Sequence, residues 1–279
     1  MEAISLIIPA YNEAPVIARA VTEAEDSLRG RFPDFEVLVI DDGSHDGTAA
    51  EVERLLPGRR WTRLLRHTKN CGYGAALRTG FEAARFPLVA FTDADCQFDL
   101  RELPRLAALT NRFPVVVGYR VNRKDTWARR FYSRGYNWLA RLLLGTRVRD
   151  VDCALKVFRR EALTDLLPES RGFFVNTEMM TRARLLGLPV TEVPVSHRPR
   201  AGGQSKVSAR EIPRIAARLL RFWWSHVLLA RSPGAVSPQL FQARVRLANA
   251  AVRGPVPAPA LSSEPGPRAG LPAPRSEAA

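Results

Sequence analysis

Cysteine is scarce in this chain of 279 residues. There are three, Cys71, Cys96 and Cys153, an odd number with no C-x-x-C spacing. That excludes a disulfide framework or a structural zinc site as the organising device and points to a reducing compartment, the cytoplasm. Long apolar runs are missing too. No uncharged stretch reaches the roughly 18 to 20 residues of a transmembrane helix. The apolar run behind Met1 stops at Pro9 without a basic flank, too short to read as a signal peptide. The four histidines, His45, His67, His197 and His226, lack metal-ligand spacing and read as ordinary loop or surface residues. Two nucleotide fingerprints are absent as well. No G-x-G-x-x-G follows the first apolar run, which speaks against a dehydrogenase, and no G-x-x-x-x-G-K-[ST] occurs. Acid is also in short supply, with 28 Asp+Glu against 42 Lys+Arg and a net charge of +14.

What is present is an ordinary globular composition, 46% hydrophobic and 25% charged, in a length that allows one large domain or two small ones. The excess base is local. Residues 1–118 carry 14 basic and 17 acidic side chains (−3), 119–160 carry 12 and 3 (+9), 161–196 carry 3 and 5 (−2), 197–231 carry 8 and 1 (+7), and 232–279 carry 5 and 2 (+3). Two concentrated stretches imply a local anionic partner. A nucleic-acid-binding protein, which spreads its base along one face or helix, remains a remote alternative.

Nearly continuous apolar runs at 3–9, 35–41, 87–93 and 114–118, with a weaker one near 62–66, have the composition of strands buried on both faces. Helical patterns lie between them at about 13–28, 46–56, 74–85 and 99–110. This alternation predicts an α/β fold, a mostly parallel, doubly wound sheet flanked by helices, with ligands beyond the carboxyl ends of the strands. Farther on, the pattern predicts a helix at about 126–145, a strand near 154–159, a helix at 177–187, a strand at 189–195 and an amphipathic helix at 212–230. From residue 232 onward the chain holds 9 of its 21 prolines and many alanines, and reads as a disordered tail.

Polar residues after each strand are therefore the place to look for chemistry. The second strand ends in Asp41-Asp42-Gly43-Ser44-His45-Asp46-Gly47-Thr48, which suits a turn with a helix cap, or an acid that accepts hydrogen bonds from a ribose or base. The fourth ends in Asp93-Ala94-Asp95-Cys96-Gln97. Two carboxylates one residue apart at the lip of a buried strand repel each other unless a cation joins them. Oxygen-only ligands suit Mg²⁺ or Mn²⁺ bridging carboxylates to substrate phosphates.

With these motifs in place the chain resembles family-2 glycosyltransferases of the GT-A fold, most closely the polyprenyl-phosphate sugar synthases typified by dolichyl-phosphate mannose and glucose synthases. The resemblance runs from about residue 3 to 230. Five ordered motifs carry it: Ile8-Pro9-Ala10-Tyr11-Asn12-Glu13, Asp41-Asp42-Gly43-Ser44-x-Asp46-Gly47-Thr48, Asn70-x-Gly72-Tyr73-Gly74, Asp93-Ala94-Asp95-x-Gln97 and Arg200-x-x-Gly203-x-Ser205-Lys206. It implies that Pro9, Tyr11 and Glu13 contact the nucleotide, with Asp42 and the neighbouring Ile40 at the ribose or base. By the same resemblance Asp93, Ala94 and Asp95 line the nucleotide-sugar, and Asp93, Asp95 and Gln97 hold Mg²⁺ or Mn²⁺ against the diphosphate. Arg120, in Gly118-Tyr119-Arg120, is placed at a phosphate, Arg200 and Lys206 at the sugar diphosphate or acceptor phosphate, and Asp150 at the first position of the acceptor motif, where Ala154 replaces the family's glycine. Asp95, Asp150, Arg120, Arg200 and Lys206 form the implied catalytic set. Asp150 and Asp152 either orient the acceptor and its cationic partners or pair with Arg147 and Arg149. Glu178 stands where relatives place an acid and also suits an exposed helix position.

The basic stretches interleave Arg with Trp127, Phe131, Tyr132, Tyr136 and Trp138, then with Phe222, Trp223 and Trp224. Trp127, Phe131, Trp138 and Leu142 share one helical face, and Arg opposite aromatics is the composition of a helix lying in a membrane interface. The alternative is that the aromatics pack on the catalytic domain. The resulting expectation is a catalytic domain over 1–207, a membrane-interfacial helix over 208–231 and a disordered tail over 232–279. The activity expected is metal-dependent, inverting transfer of a hexose from a UDP- or GDP-linked donor to a polyprenyl phosphate, by a peripheral protein on the cytoplasmic face of the membrane. A family-2 enzyme with a soluble saccharide or phosphorylated acceptor is the alternative.

Overall fold

The computed structural model describes residues 1–121, 127–146, 148–200 and 212–224. A seven-stranded mixed sheet in the order β3-β2-β1-β4-β6-β5-β7 forms its centre. The strands are β1 (Ile4–Ala10), β2 (Phe35–Asp41), β3 (Thr62–Arg66), β4 (Leu88–Phe91), β5 (Val115–Val121), β6 (Lys156–Arg159) and β7 (Val190–Ser196). Helices α1 (Ala14–Leu28), α2 (Thr48–Leu55), α3 (Tyr73–Ala83) and α4 (Leu103–Leu109) connect the first five strands, a 3₁₀ turn at Leu100–Glu102 leading into α4. Then come α5 (Trp127–Leu144), α6 (Arg160–Leu166), α7 (Val175–Leu185) and α8 (Ile212–Trp223). Among the described residues no helix is long and apolar enough to cross a membrane.

All seven residues of β1 and of β2 are buried, as central parallel strands covered on both faces require. Helix α1 presents Val16, Ile17, Ala20, Val21, Ala24 and Leu28 to them, a helical stripe that the sequence period encodes. Phe81, Phe91 and Phe158 pack with ring centroids 5.9 to 6.3 Å apart, joining α3, β4 and β6. Each such ring removed from water contributes about 1.5–3 kcal/mol.

The strand that positions the site is β6. It pairs antiparallel to both β4 and β5, with Lys156 opposite Phe91 and Arg159 opposite Leu88. Its amino end therefore lies beside the carboxyl ends of β1, β2, β4 and β5, and the turn that precedes it is delivered to the same edge. Helix α6 has no counterpart in the sequence reading, being only seven residues long. The predicted 212–230 helix is described to Trp223, and the tail from 232 lies outside the described residues.

Candidate active site

The edge at the carboxyl ends of β1 and β2 is built from cross-tied loops. Asn12 N–H donates to Ser44 Oγ (2.9 Å), Glu13 N–H to Thr48 Oγ1 (2.8 Å) and Ala14 N–H to Asp46 Oδ2 (3.0 Å). Asp46 also accepts from the backbone of Thr48, so one carboxylate caps α2 and the first turn of α1 together. Burial raises its pKa, but the bonds from Thr48 and Ala14 outweigh that and leave it below its ordinary value. Asp42 is buried and accepts from Cys71 N–H (2.9 Å), Gly72 N–H (2.8 Å) and the His67 ring (Nδ1, 2.7 Å). A carboxylate so engaged pins the Asn70–Gly74 loop. The glycines there are required by contact: at Gly72, with φ of 100°, and at Gly74, a Cβ would overlap the carbonyls of Arg171 and Ser170.

Asp42, His67 and Cys71 bring a carboxylate oxygen, a ring nitrogen and a thiol within 4.8 Å of one another. His67 is thus no bystander: Nδ1 meets Asp42, and Nε2 lies 2.9 Å from Thr79 Oγ1. His197 corrects the sequence reading as well, since it is buried edge-on against Phe98.

Behind β4 stands the carboxylate pair. Asp95 is buried, 4% exposed, and the residue after it, Cys96, has a φ of 57°, a left-handed backbone uncommon outside glycine and asparagine. Asp93 accepts from Tyr73 Oη (2.9 Å), and Asp95 pairs with Arg200 (2.9 Å). Loss of hydration pushes the Asp95 carboxyl up to about 6, with Asp93 adding to the rise and Arg200 opposing it. Burial raises Asp93 too, against its Tyr73 bond and the charges of Arg120, Lys156 and Arg200. Two desolvated carboxylates with raised pKa values and oxygen-only donors fit a hard divalent cation. Gln97 Nε2 donates to the Arg198 carbonyl (3.3 Å), and Arg198 N–H to Gln97 O (2.8 Å), tying this loop to the segment that delivers Arg200.

Across the edge, Arg120 at the end of β5 clasps Asp150 through Nε (2.6 Å) and Nη2 (2.7 Å), both side chains being more than 90% buried. Although burial opposes it, the Asp150 bond holds the guanidinium well above its ordinary pKa. Asp150 therefore pairs with Arg120. Arg149 turns away to Glu192 (3.9 Å) and stacks on Tyr119 (5.0 Å). Arg147 lies outside the described residues.

Helix α7 supplies the scaffold beneath. Asn176, Thr177 and Glu178 are all buried: Thr177 meets Tyr136 of α5 (2.5 Å), and Glu178 accepts from Glu169 N–H (2.8 Å) and Ser170 N–H (2.9 Å). Glu178 is thus a loop clamp and not an exposed helix charge. The adjacent phenylalanines diverge, Phe173 stacking on Tyr73 (5.4 Å) and Phe174 meeting Phe222 of α8 (5.3 Å).

One edge therefore gathers Tyr11, Glu13, Asp42, Asp93, Asp95, Gln97, Arg120, Asp150 and Arg200. Pro9 and Ala94 are buried in its walls. Ile40 corrects its expected role: it has no accessible surface, belongs to the core and serves the site only by fixing Asp41 and Asp42 at the strand end. Lys206 lies outside the described residues. Tyr73 stands within the Asn70-x-Gly72-Tyr73-Gly74 motif, whereas His67, Asn176 and Lys156, which tie the site's loops together, lie outside the five motifs. The one signal for Lys156 was a charge inside the otherwise apolar run Ala154-Leu155-Lys156-Val157-Phe158.

Helices α5 and α8 pack through Ala140, Leu144, Leu219 and Phe222 around Phe174. Trp138, Leu142, Leu220 and Trp224 remain 52–65% exposed. Arg134 and Arg141 share the exposed face of α5 with Trp138 and Leu142, so cation and apolar groups alternate on one face and do not occupy opposite ones.

Comparison with known proteins agrees with this architecture. The glucosyl-3-phosphoglycerate synthase of Mycobacterium tuberculosis, solved with Mn²⁺, UDP and glucosyl-3-phosphoglycerate, has the same fold, with a TM-score of 0.62 at 21% identity over 80% of this chain and 79% of that one. Glycosyltransferase AglD of Haloferax volcanii is 35% identical over 237 residues, 79% of this chain and 37% of that protein. The undecaprenyl-phosphate 4-deoxy-4-formamido-L-arabinose transferase of Aeromonas hydrophila subsp. hydrophila is 35% identical over 210 residues, 73% of this chain and 62% of that protein. The chain thus spans 37% and 62% of the length of these two curated relatives. The model of glycosyl transferase family 2 matches residues 5–167, and with this sheet, these strand-end motifs and these relatives, the chain belongs to that family, in its GT-A fold.

Proposed function

We propose that this protein is a metal-dependent, inverting glycosyltransferase that moves a hexose from a UDP- or GDP-linked donor to a polyprenyl phosphate at the cytoplasmic face of a membrane. The observation that carries the reading is the meeting, at one sheet edge, of the desolvated Asp93 and Asp95 with the cations Arg120 and Arg200. Acids alone would repel a diphosphate, and bases alone would not discriminate a nucleotide-sugar from any other anion.

Asp93 and Asp95, with Gln97 beside them, would hold Mg²⁺ or Mn²⁺. The ion supplies charge neutralisation of the departing diphosphate. Tyr11 and Glu13 at the end of β1, and Asp42 with the loop it pins, bound the space for the nucleoside. The acceptor phosphate, with a second pKa near about 6, is largely ionised at neutral pH and needs positioning more than deprotonation. Asp150 holds the Arg120 guanidinium toward it. An acceptor oxygen bonds to the anomeric carbon as the bond from that carbon to the diphosphate oxygen breaks, the electron pair leaving with the nucleotide and the configuration inverting. Arg200 stands where that negative charge develops.

The name of the Aeromonas relative supports a lipid-phosphate acceptor. So does the exposed face of Trp138, Leu142, Leu220 and Trp224 with Arg134 and Arg141, which suits an anionic membrane surface. The domain division at 207 and 231 belongs to the same proposal. The deciding experiment is a donor screen with purified protein, Mn²⁺ or Mg²⁺ and a short polyprenyl phosphate, read by mass spectrometry of the lipid. A hexosyl-phosphate lipid is the expected product, whereas transfer only to water-soluble acceptors would overturn the lipid assignment.

A further inference from the structure

Strand β6 opens on a lysine with no accessible surface. Lys156 Nζ donates to Val151 O (3.0 Å), to Asn176 Oδ1 (2.9 Å) and to the Cys153 carbonyl. An ammonium has three N–H donors and no acceptor, so these three oxygens use all of them. The Phe91 ring covers another side, its centroid 5.3 Å from Nζ. All three hydrogen-bond partners are neutral carbonyl oxygens. A charge placed among neutral groups at zero exposure carries a large desolvation cost. Burial lowers the lysine pKa accordingly, and the nearby Asp152, Asp150 and Asp93 oppose that shift.

The position of those oxygens shows what the charge is used for. Two belong to the turn 150–154, which carries Asp150 and Asp152, and the third belongs to the first turn of α7. The same turn is gripped from the other side, where Val151 N–H donates to Asn137 Oδ1 of α5 (3.0 Å). Its carbonyls are thus fixed by β6 and one of its amides by α5.

We propose that Lys156 is a positioning residue: its ammonium fixes the 150–154 turn, and with it the Asp150–Arg120 pair, in the orientation that receives the acceptor phosphate. The proposal rests on the acceptor reading given above. Lys156 touches neither substrate and acts through the turn.

The test is Lys156→Met, which keeps the length of the side chain and removes its three donors, alongside Asn176→Ala, which removes one partner and leaves the lysine. Lys156→Met should raise the KM for polyprenyl phosphate about tenfold or more while the Kd for UDP with Mn²⁺ stays within about threefold, and Asn176→Ala should show a smaller change of the same kind. Hydrogen exchange at Val151 and Cys153 should accelerate in both variants while the β1 and β2 amides keep their protection. An acceptor KM within about threefold of wild type, or a parallel loss of donor affinity, would overturn the proposal. If Lys156→Met does not fold, Asn176→Ala carries the same comparison. If the wild-type protein does not use polyprenyl phosphate, the acceptor reading has failed, and unchanged exchange in the turn would then overturn the role of Lys156 as well.

Discussion

At the carboxyl ends of β1, β2 and β4 three acids are held by neutral donors and Asp95 by Arg200, whereas across the edge bases are held by an acid and by carbonyls. Asp42 and Asp46 accept backbone amides, and Asp93 accepts a tyrosine hydroxyl. Opposite them, Arg120 is closed by Asp150 and Lys156 by three carbonyl oxygens. Segment charge therefore misstates accessible charge in both regions. The −3 of residues 1–118 conceals a desolvated carboxylate pair, and the +9 of 119–160 includes Arg120, Lys156 and Arg159, which are used internally. Arg159 meets Glu2 (2.9 Å) and Asn111 (2.8 Å) at the far end of the sheet, away from any acceptor. Among the described residues, Arg134, Arg141 and Arg221 are exposed on α5 and α8.

Four variants probe this contrast. The largest effect is expected from Asp95→Ala, which should lower turnover by about 10³-fold or more with the fold intact by circular dichroism. Activity near wild type would remove the metal from the donor side. Next, Arg120→Met leaves Asp150 buried without its bidentate partner and should cost about 3–5 kcal/mol in urea denaturation. A loss below about 1 kcal/mol would mean that the pair is not what organises the acceptor side.

A smaller effect belongs to the exposed apolar face. Trp138→Ser with Trp224→Ser should weaken binding to anionic vesicles about tenfold or more in flotation, without changing donor affinity. Equal flotation would return this face to simple solvent exposure. The smallest is Asp99→Asn. The hydrogen bond from Arg101, with Arg198 nearby and despite burial, holds the Asp99 carboxyl down at about 2. A depressed carboxyl contributes stability that is fully present above its unfolded value near about 4 and is lost as pH falls through about 2. The variant should therefore cost about 1 kcal/mol or less at pH 7. That difference from wild type should shrink steadily as pH falls below about 4, and a difference independent of pH would show that the pair contributes nothing through charge.

Much of the fold was legible in advance because burial is written locally. The apolar runs at 35–41 and 62–66 coincide with β2 and β3, and the other runs match their strands within three residues at each end. Helices α1 and α3 follow their amphipathic periods. Helix α6 escaped notice because seven residues leave too little periodicity. The helix expected at 177–187 is α7, which begins and ends two residues earlier. The candidate site divides in the same way. Asp93 and Asp95 stood out by chemistry and position, whereas His67 and Asn176 carry no signature apart from their partners.

By itself the sequence determined the order of strands and helices, the acidic strand ends and the basic, aromatic stretches, because each depends on neighbours a few residues away. Only the tertiary structure decided that β6 runs antiparallel, that Arg120 belongs to Asp150 and Arg200 to Asp95, and that Lys156 turns inward. The partners in these contacts come from separate strands and loops, Arg120 and Asp150 standing 30 positions apart in the chain. A side chain's chemistry says what it can bind, but hydrogen bonds and ion pairs are directional and saturable, so the packed sheet determines which partner it meets.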